Sequence, residues 1–175
     1  MSNNQAGSPR RIREFIASLP KELLISPVKS PAGGVYGDDM LPFDLYRNTR
    51  QNIERVADQI NQSFHFGIYD GCAVLMRRLI EMLLILAFKH CGIEGEIRGS
   101  DGNYLQVSEI INKAITNPTL DLSRNAKEYL NLFREKGNLS AHNPFHNALK
   151  KDLELIQAKL RHLVEELFYK AGIRQ

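Results

Sequence analysis

The apolar stretch over residues 73–88 constrains the fold of this chain more than any other feature. Apolar side chains occupy nearly every side of a helix drawn through it, and only Arg77, Arg78 and Glu81 interrupt them. A helix that is apolar almost all round lies buried among other helices. The stretch is also shorter than the roughly 20 residues that cross a bilayer. It therefore predicts the central helix of a helical bundle, running over about residues 67–90, and no membrane contact.

Four further segments carry apolar residues at helical spacing: 43–64, 105–115, 122–136 and 144–169. The last is the most regular, and its stripe fits a helix packed along a bundle or one half of a dimer seam. No segment shows β-alternation or a Gly-rich phosphate loop. We therefore predict an all-α fold, an antiparallel helical bundle of about five helices with an irregular N-terminal arm. The apolar stripe of the last segment, 144–169, consists of Leu149, Leu153, Ile156, Leu160, Leu163 and Leu167.

Residues 1–42 are predicted to form that arm, and residues 43–175 the bundle. Residues 10–19 have the spacing of a short helix, and Pro and Gly punctuate residues 20–42. The first 30 residues hold five basic and two acidic side chains, so the basic excess lies in the arm. The polar N-terminus lacks the apolar core of a signal peptide, which predicts a cytoplasmic protein.

Metal and cofactor motifs are missing from the sequence. Cys72 and Cys91 lie in or beside the central apolar stretch, which is typical of core thiols in a reducing compartment. His142 and His146 have a spacing that can bind a metal on a helix, but no third ligand is evident. Asp39 and the acid before it have no further acid at a useful spacing. We expect no metal and no cofactor.

A polar turn is predicted between the last two helices. Gly137 follows the apolar spacing of residues 122–136, where a helix C-cap is expected, and Lys136 suits the negative end of that helix. The pair at 143–144, Asn-Pro, is a typical helix start. Such a turn brings Arg134, Asn138 and His142 to one end of the bundle.

Two interpretations of this turn follow from its residue types. Arg134 offers a planar fork of donors to a phosphate and His142 can move a proton near neutral pH, which indicates a site for phosphate or RNA. Alternatively, the polar side chains cap the helix ends, and Arg134 pairs with Glu135 or Glu81.

The charges of the central helix also allow two arrangements. Arg77 and Glu81 are spaced i,i+4 and can pair with each other, which is the arrangement that we favour. In the other, Glu81 reaches the polar turn and holds Arg134 or His142. A charge inside a packed bundle needs a partner in either case.

Residues 73–81 and 133–142 together resemble the HEPN superfamily of helical bundles, in particular a prokaryotic branch with an Arg…Gly-Asn-x-x-Ala-His turn. The likeness covers about residues 43–170. It implies a homodimer that is either a metal-independent ribonuclease or a noncatalytic RNA-binding relative, often tied to defence or toxin–antitoxin systems. It also implies that His142 assists proton transfer at the ribose 2′-hydroxyl, that Arg134 steadies the phosphate, and that Asn138 orients them.

The chain departs from the catalytic pattern of that family. Seven residues separate Arg134 from His142, more than is usual, and Glu135 directly follows the Arg, where an acid weakens a phosphate site. We therefore expect a noncatalytic module that binds RNA or a partner protein, with a metal-independent endoribonuclease as the alternative. The predicted binding residues near the turn are Arg77, Arg78, Glu81, Lys136 and His146.

Overall fold

A computed structural model describes the backbone of residues 39–142 and 147–174, and the side chains of residues 39–135 and 147–174. Six α-helices and one 3₁₀ turn make up most of this part of the chain, and an isolated bridge between Arg98 and Tyr104 is its only β-type pairing. The all-α fold is confirmed. The helices are α1 (Phe43–Tyr46), α2 (Gln51–His65), α3 (Tyr69–His90), α4 (Val107–Thr116), α5 (Arg124–His142) and α6 (Lys150–Lys170), with the 3₁₀ turn at Glu94–Ile97.

Helix α3 is the centre of the bundle, as its apolar sequence predicted. It packs against α2, α4, α5, α6 and the 3₁₀ turn. Leu79, Leu83 and Leu84 along its length are fully buried. A three-residue link that contains Gly67, at a φ of 73°, joins it to α2, and a link this short makes the two helices antiparallel neighbours.

The single helix predicted over residues 43–64 is divided into α1 and α2. Asn48 between them has a φ of 60°, in the left-handed region that Asn tolerates better than most residues. The hydroxyl of Thr49 donates to the Tyr46 carbonyl at 2.5 Å, and the Thr49 backbone N–H donates to the Glu54 carboxylate at 3.1 Å. These local side-chain bonds end the first helix and begin the second.

Residues 39–41, which the sequence places in the arm, pack into the core. We call them the Asp39–Leu41 strap. Met40 and Leu41 are fully buried. Asn61 of α2 accepts from the Leu41 N–H at 2.9 Å and donates to the Leu41 carbonyl at 2.8 Å. The strap is thus fixed to α2 through its backbone.

Helix α6 holds the other side of the strap. Gln157 donates to the Asp39 carbonyl at 2.8 Å. The guanidinium of Arg161 donates to the same carbonyl and, at 3.1 Å, to that of Met40. The Asp39 carboxylate contacts His65 Nε2 at 2.6 Å. Buried backbone groups need hydrogen-bond partners, and the irregular strap has no helical bonds to supply them. Side chains of α2 and α6 bond to these groups instead.

The boundary between α5 and α6 differs from the prediction. Helix α5 does not stop at Gly137 but continues to His142, and α6 begins at Lys150 instead of at residue 144. Gly inside a helix costs only about 1 kcal/mol relative to Ala, so one Gly is a weak stop signal. Residues 147–149 are irregular, and the Ala148 N–H donates to the Asp70 carboxylate at 3.0 Å.

The apolar stripe of α6 is confirmed except at its first member. Leu149 precedes the helix and is about half exposed, whereas the later members of the stripe are buried in the core. Within the described residues, none of the helices combines the length and the apolar character that crossing a membrane requires. The buried members of the stripe are Leu153, Ile156, Leu160, Leu163 and Leu167, and Val164 and Phe168 beside them are buried as well.

The two thiols are predicted to differ in reactivity. Cys72 is buried, and burial raises the pKa of its thiol to about 12, whereas Cys91 is only partly buried. The thiolate is the reactive species, and a thiol with so high a pKa stays almost entirely protonated at pH 8. In a titration of the native protein with a chromogenic disulfide reagent, Cys91 should react first and Cys72 only after addition of denaturant. Equal rates for the two thiols in the native protein would contradict this.

Candidate functional site

Arg134, the cation of the predicted turn, lies on α5 and bonds to a neighbouring helix. Its guanidinium donates to the side-chain oxygen of Asn112 on α4, and the Arg134 side chain is partly buried. This bond differs from both predicted pairings, with Glu135 and with Glu81. Arg134 therefore helps to join α4 to α5.

The sequence predicted a polar turn that brings Arg134, Asn138 and His142 together. In the structure these positions lie on one continuous helix instead. Positions 134, 138 and 142 are four residues apart, so the helical register places them along one face of α5. Positions 134 and 142 are about 12 Å apart along the helix axis, at 1.5 Å per residue. The side chains of Lys136, Asn138 and His142, and the whole of residue 146, lie outside the described part of the chain.

The charged residues of α3 fall into two environments. Arg77 and Glu81 are partly buried on consecutive turns, and Arg77 has an interaction partner. Their mutual pairing stays a prediction. Arg78 is exposed, and it lines an open groove between α2 and α3. Arg78 is thus a predicted binding residue that lines a concave surface in the described part of the chain.

We call this surface the α2–α3 groove. Its volume is about 430 Å³. One wall belongs to α2 and the other to α3, and the turn between the two helices closes one end. Its described lining contains one cation and no acid. The lining residues are Gln59, Gln62, Ser63, Phe66, Ile68, Leu75 and Arg78.

The α2 wall of the groove continues a polar stripe along that helix. Asn52, Arg55 and Gln59 are exposed and follow one another at spacings of three and four residues, so they share a face with the groove. The acids of α2 have other partners: Glu54 accepts from the Thr49 N–H, and Asp58 accepts from the Tyr46 hydroxyl at 2.7 Å. The stripe thus offers amides and a cation without a carboxylate.

The apolar end of the groove was not predicted from the sequence. Phe66 is 67% exposed and Ile68 is 57% exposed. Both flank Gly67 in the turn between α2 and α3, where helical periodicity ends. Two large apolar side chains beside this glycine were the only signal. Ile68 directly precedes α3 and lies at the surface.

A second polar cluster lies on the loop after α3, and its side chains bond to one another and to the loop backbone. Arg98 donates to the Glu94 carboxylate at 2.8 Å, to the Tyr104 hydroxyl at 3.1 Å and to the Gly102 carbonyl at 2.6 Å. Tyr104 also donates to Glu94 at 2.5 Å. Because these groups satisfy one another, the cluster stabilises the loop around the isolated bridge.

Comparisons of this chain with protein-family models, with curated proteins and with solved structures give no match. The resemblance to the HEPN superfamily therefore rests on the two sequence stretches named above.

Proposed function

We propose that this chain is a noncatalytic RNA-binding protein. The observation that carries the proposal is the bond from Arg134 to Asn112 on a helix that continues to His142. Cleavage of RNA needs a cationic donor and a proton-transfer group at one reacting centre, within hydrogen-bond reach of it. Arg134 bonds to a neighbouring helix and lies about 12 Å along the helix axis from position 142. Because this arrangement does not bring the two groups to one reacting centre, it supports binding more than cleavage.

The α2–α3 groove supports RNA as the partner. A concave surface with Arg78, amide side chains and an exposed aromatic ring, and with no acid among its described lining residues, suits a polyanion with flat bases. The basic excess of the first 30 residues has the same sign of charge. A HEPN-like homodimer tied to a defence or toxin–antitoxin system, and binding of a partner protein, stay predictions from the resemblance.

A cleavage assay separates this proposal from the alternative, a metal-independent endoribonuclease. The parent protein and His142→Ala are incubated with a broad panel of RNAs in excess chelator, and product ends are identified. We expect intact RNA with both proteins, and equal RNA affinity of the two in fluorescence anisotropy. Cleavage by the parent alone, leaving 2′,3′-cyclic phosphate ends, would overturn the noncatalytic assignment. Absence of RNA binding by the parent at low salt would overturn the RNA-binding assignment.

A further inference from the structure

We propose that the α2–α3 groove is a site for single-stranded RNA, in which an unpaired base stacks on Phe66 and a phosphate binds Arg78. The inference rests on the proposed function, because it names the surface and the form of RNA. Arg134 is not among the described residues that line the groove. Binding in the groove therefore needs no cleavage chemistry.

Phe66 has the properties of a stacking platform. Its side chain is 67% exposed, although its backbone is held firmly: its N–H donates to the Gln62 carbonyl at 2.9 Å. The following turn is also bonded, since the Ile68 N–H donates to the Ser63 carbonyl at 2.8 Å. An exposed ring on a fixed backbone presents its face to a base at little cost in conformational entropy. Base–aromatic stacking of this kind is tolerant of sequence.

Arg78 supplies the charge that a phosphate needs. It is exposed on the α3 side of the groove, and its guanidinium offers donors in a planar fork that fits two phosphate oxygens. No acid is among the described lining residues to compete for it. Arg55, farther along the α2 stripe, extends the positive charge beyond the groove. A chain of phosphates that leaves Arg78 along α2 thus meets a second cation.

The shape and chemistry favour a single strand over a duplex. Stacking on Phe66 requires an accessible base face, and in a duplex those faces are covered by neighbouring base pairs. The exposed Gln59 amide on the α2 wall can both donate and accept, as recognition of a splayed base edge requires. The volume of about 430 Å³ lies within the range of small-ligand sites, roughly 300–1,000 Å³. The groove therefore fits a nucleotide-sized group.

Fluorescence anisotropy with a short unstructured RNA, and with the same RNA annealed to its complement, tests the stacking step. We expect the full-length chain to bind the single strand more tightly. Phe66→Ala should weaken that binding about tenfold, and Phe66→Tyr, which keeps the ring, should restore most of it. The matched control is Leu155→Ala, because Leu155 is an exposed apolar residue on α6, 76% exposed. It should leave the affinity unchanged.

The salt dependence of the same binding tests the phosphate step. The slope of log affinity against log salt is negative, and removing one phosphate contact to a single strand reduces its magnitude by about 0.7. We expect this change for Arg78→Gln. Arg124→Gln, at an exposed position of α5, is the charge-matched control and should keep the parent slope. Circular dichroism of each variant verifies that the helices are intact.

The outcomes separate this inference from the proposed function. If the parent binds RNA but Phe66→Ala and Arg78→Gln bind it equally well, the groove assignment is wrong and the RNA-binding proposal stands. Equal affinity for the single strand and the duplex would also overturn the inference. If the two variants lose self-association in sedimentation while their RNA affinity is unchanged, the groove is a protein interface instead. If the parent binds neither RNA, both proposals fail.

Discussion

Asn61→Ala is expected to lower the free energy of unfolding by about 3 kcal/mol. Asn61 is a buried polar residue of α2, and its side-chain amide satisfies both backbone groups of Leu41, at 2.9 and 2.8 Å. Leu41 is fully buried, so the N–H and the carbonyl would both lose their partner away from solvent. Each unsatisfied buried group costs about 1–3 kcal/mol. Urea unfolding followed by circular dichroism measures the change.

Two companion variants identify the cause. Asn61→Leu keeps the same branched side-chain skeleton and leaves no cavity, but it supplies no hydrogen bond, and so it should be about as destabilising as Asn61→Ala. Gln59→Ala, at an exposed position of the same helix, should stay within about 0.5 kcal/mol of the parent. If Asn61→Leu were as stable as the parent, the cost would come from the cavity, and the role assigned to the strap contacts would be wrong.

The parts of the fold that follow from local periodicity could be predicted from the sequence. Helix α3 is apolar on nearly all sides and is central, and α6 carries a regular stripe that is buried from Leu153 onward. In both, the pattern within one helix determines which sides are covered. Helix ends are less well determined, because α5 passes through Gly137 at a cost of about 1 kcal/mol that its other interactions can offset.

Features that depend on distant partners could not be predicted. The Asp39–Leu41 strap has no periodicity, and residues of α2 and α6 far along the chain bind it. Asn61 is a polar residue of α2, yet it is buried where the strap bonds to it. Burial, with the hydrogen bond to Asp58, also raises the pKa of Tyr46 beside the strap. Sequence spacing does not encode such pairings.

The candidate site was only partly predictable for the same reason. Arg78 was predicted to be a binding residue, and the structure places it in the lining of the α2–α3 groove. The bond from Arg134 to Asn112 joins positions 22 residues apart on different helices, so the residue types around the expected turn gave no sign of it. The groove itself depends on how α2 packs against α3. Phe66 lines the groove because it lies in the turn after α2, where helical periodicity no longer determines which side chains are exposed.

Leu83→Ala should destabilise the protein by about 2–5 kcal/mol, as large-to-small changes do in a rigid core. Leu83 is fully buried on α3, which packs against four other helices. With neighbours on so many sides, the cavity cannot collapse by the shift of one helix, so we expect the upper half of this range. Stabilities of domains are typically about 5–15 kcal/mol. The loss is therefore a large fraction of the total, and chemical denaturation with an unchanged m-value measures it.

Val74→Ala on the same helix is the matched control. Val74 is 42% exposed, so less apolar area is lost, and Ala has the higher helix propensity, which offsets part of that loss. We expect a change of less than about 1 kcal/mol. A loss as large as that of Leu83→Ala would instead mean that this side of α3 is covered in solution, as by a second copy of the chain. In that case the melting temperature of the parent should rise with protein concentration, because association stabilises the folded state by mass action. A small Val74 effect together with a concentration-independent melting temperature would place the solvent-facing side of α3 outside any self-association interface.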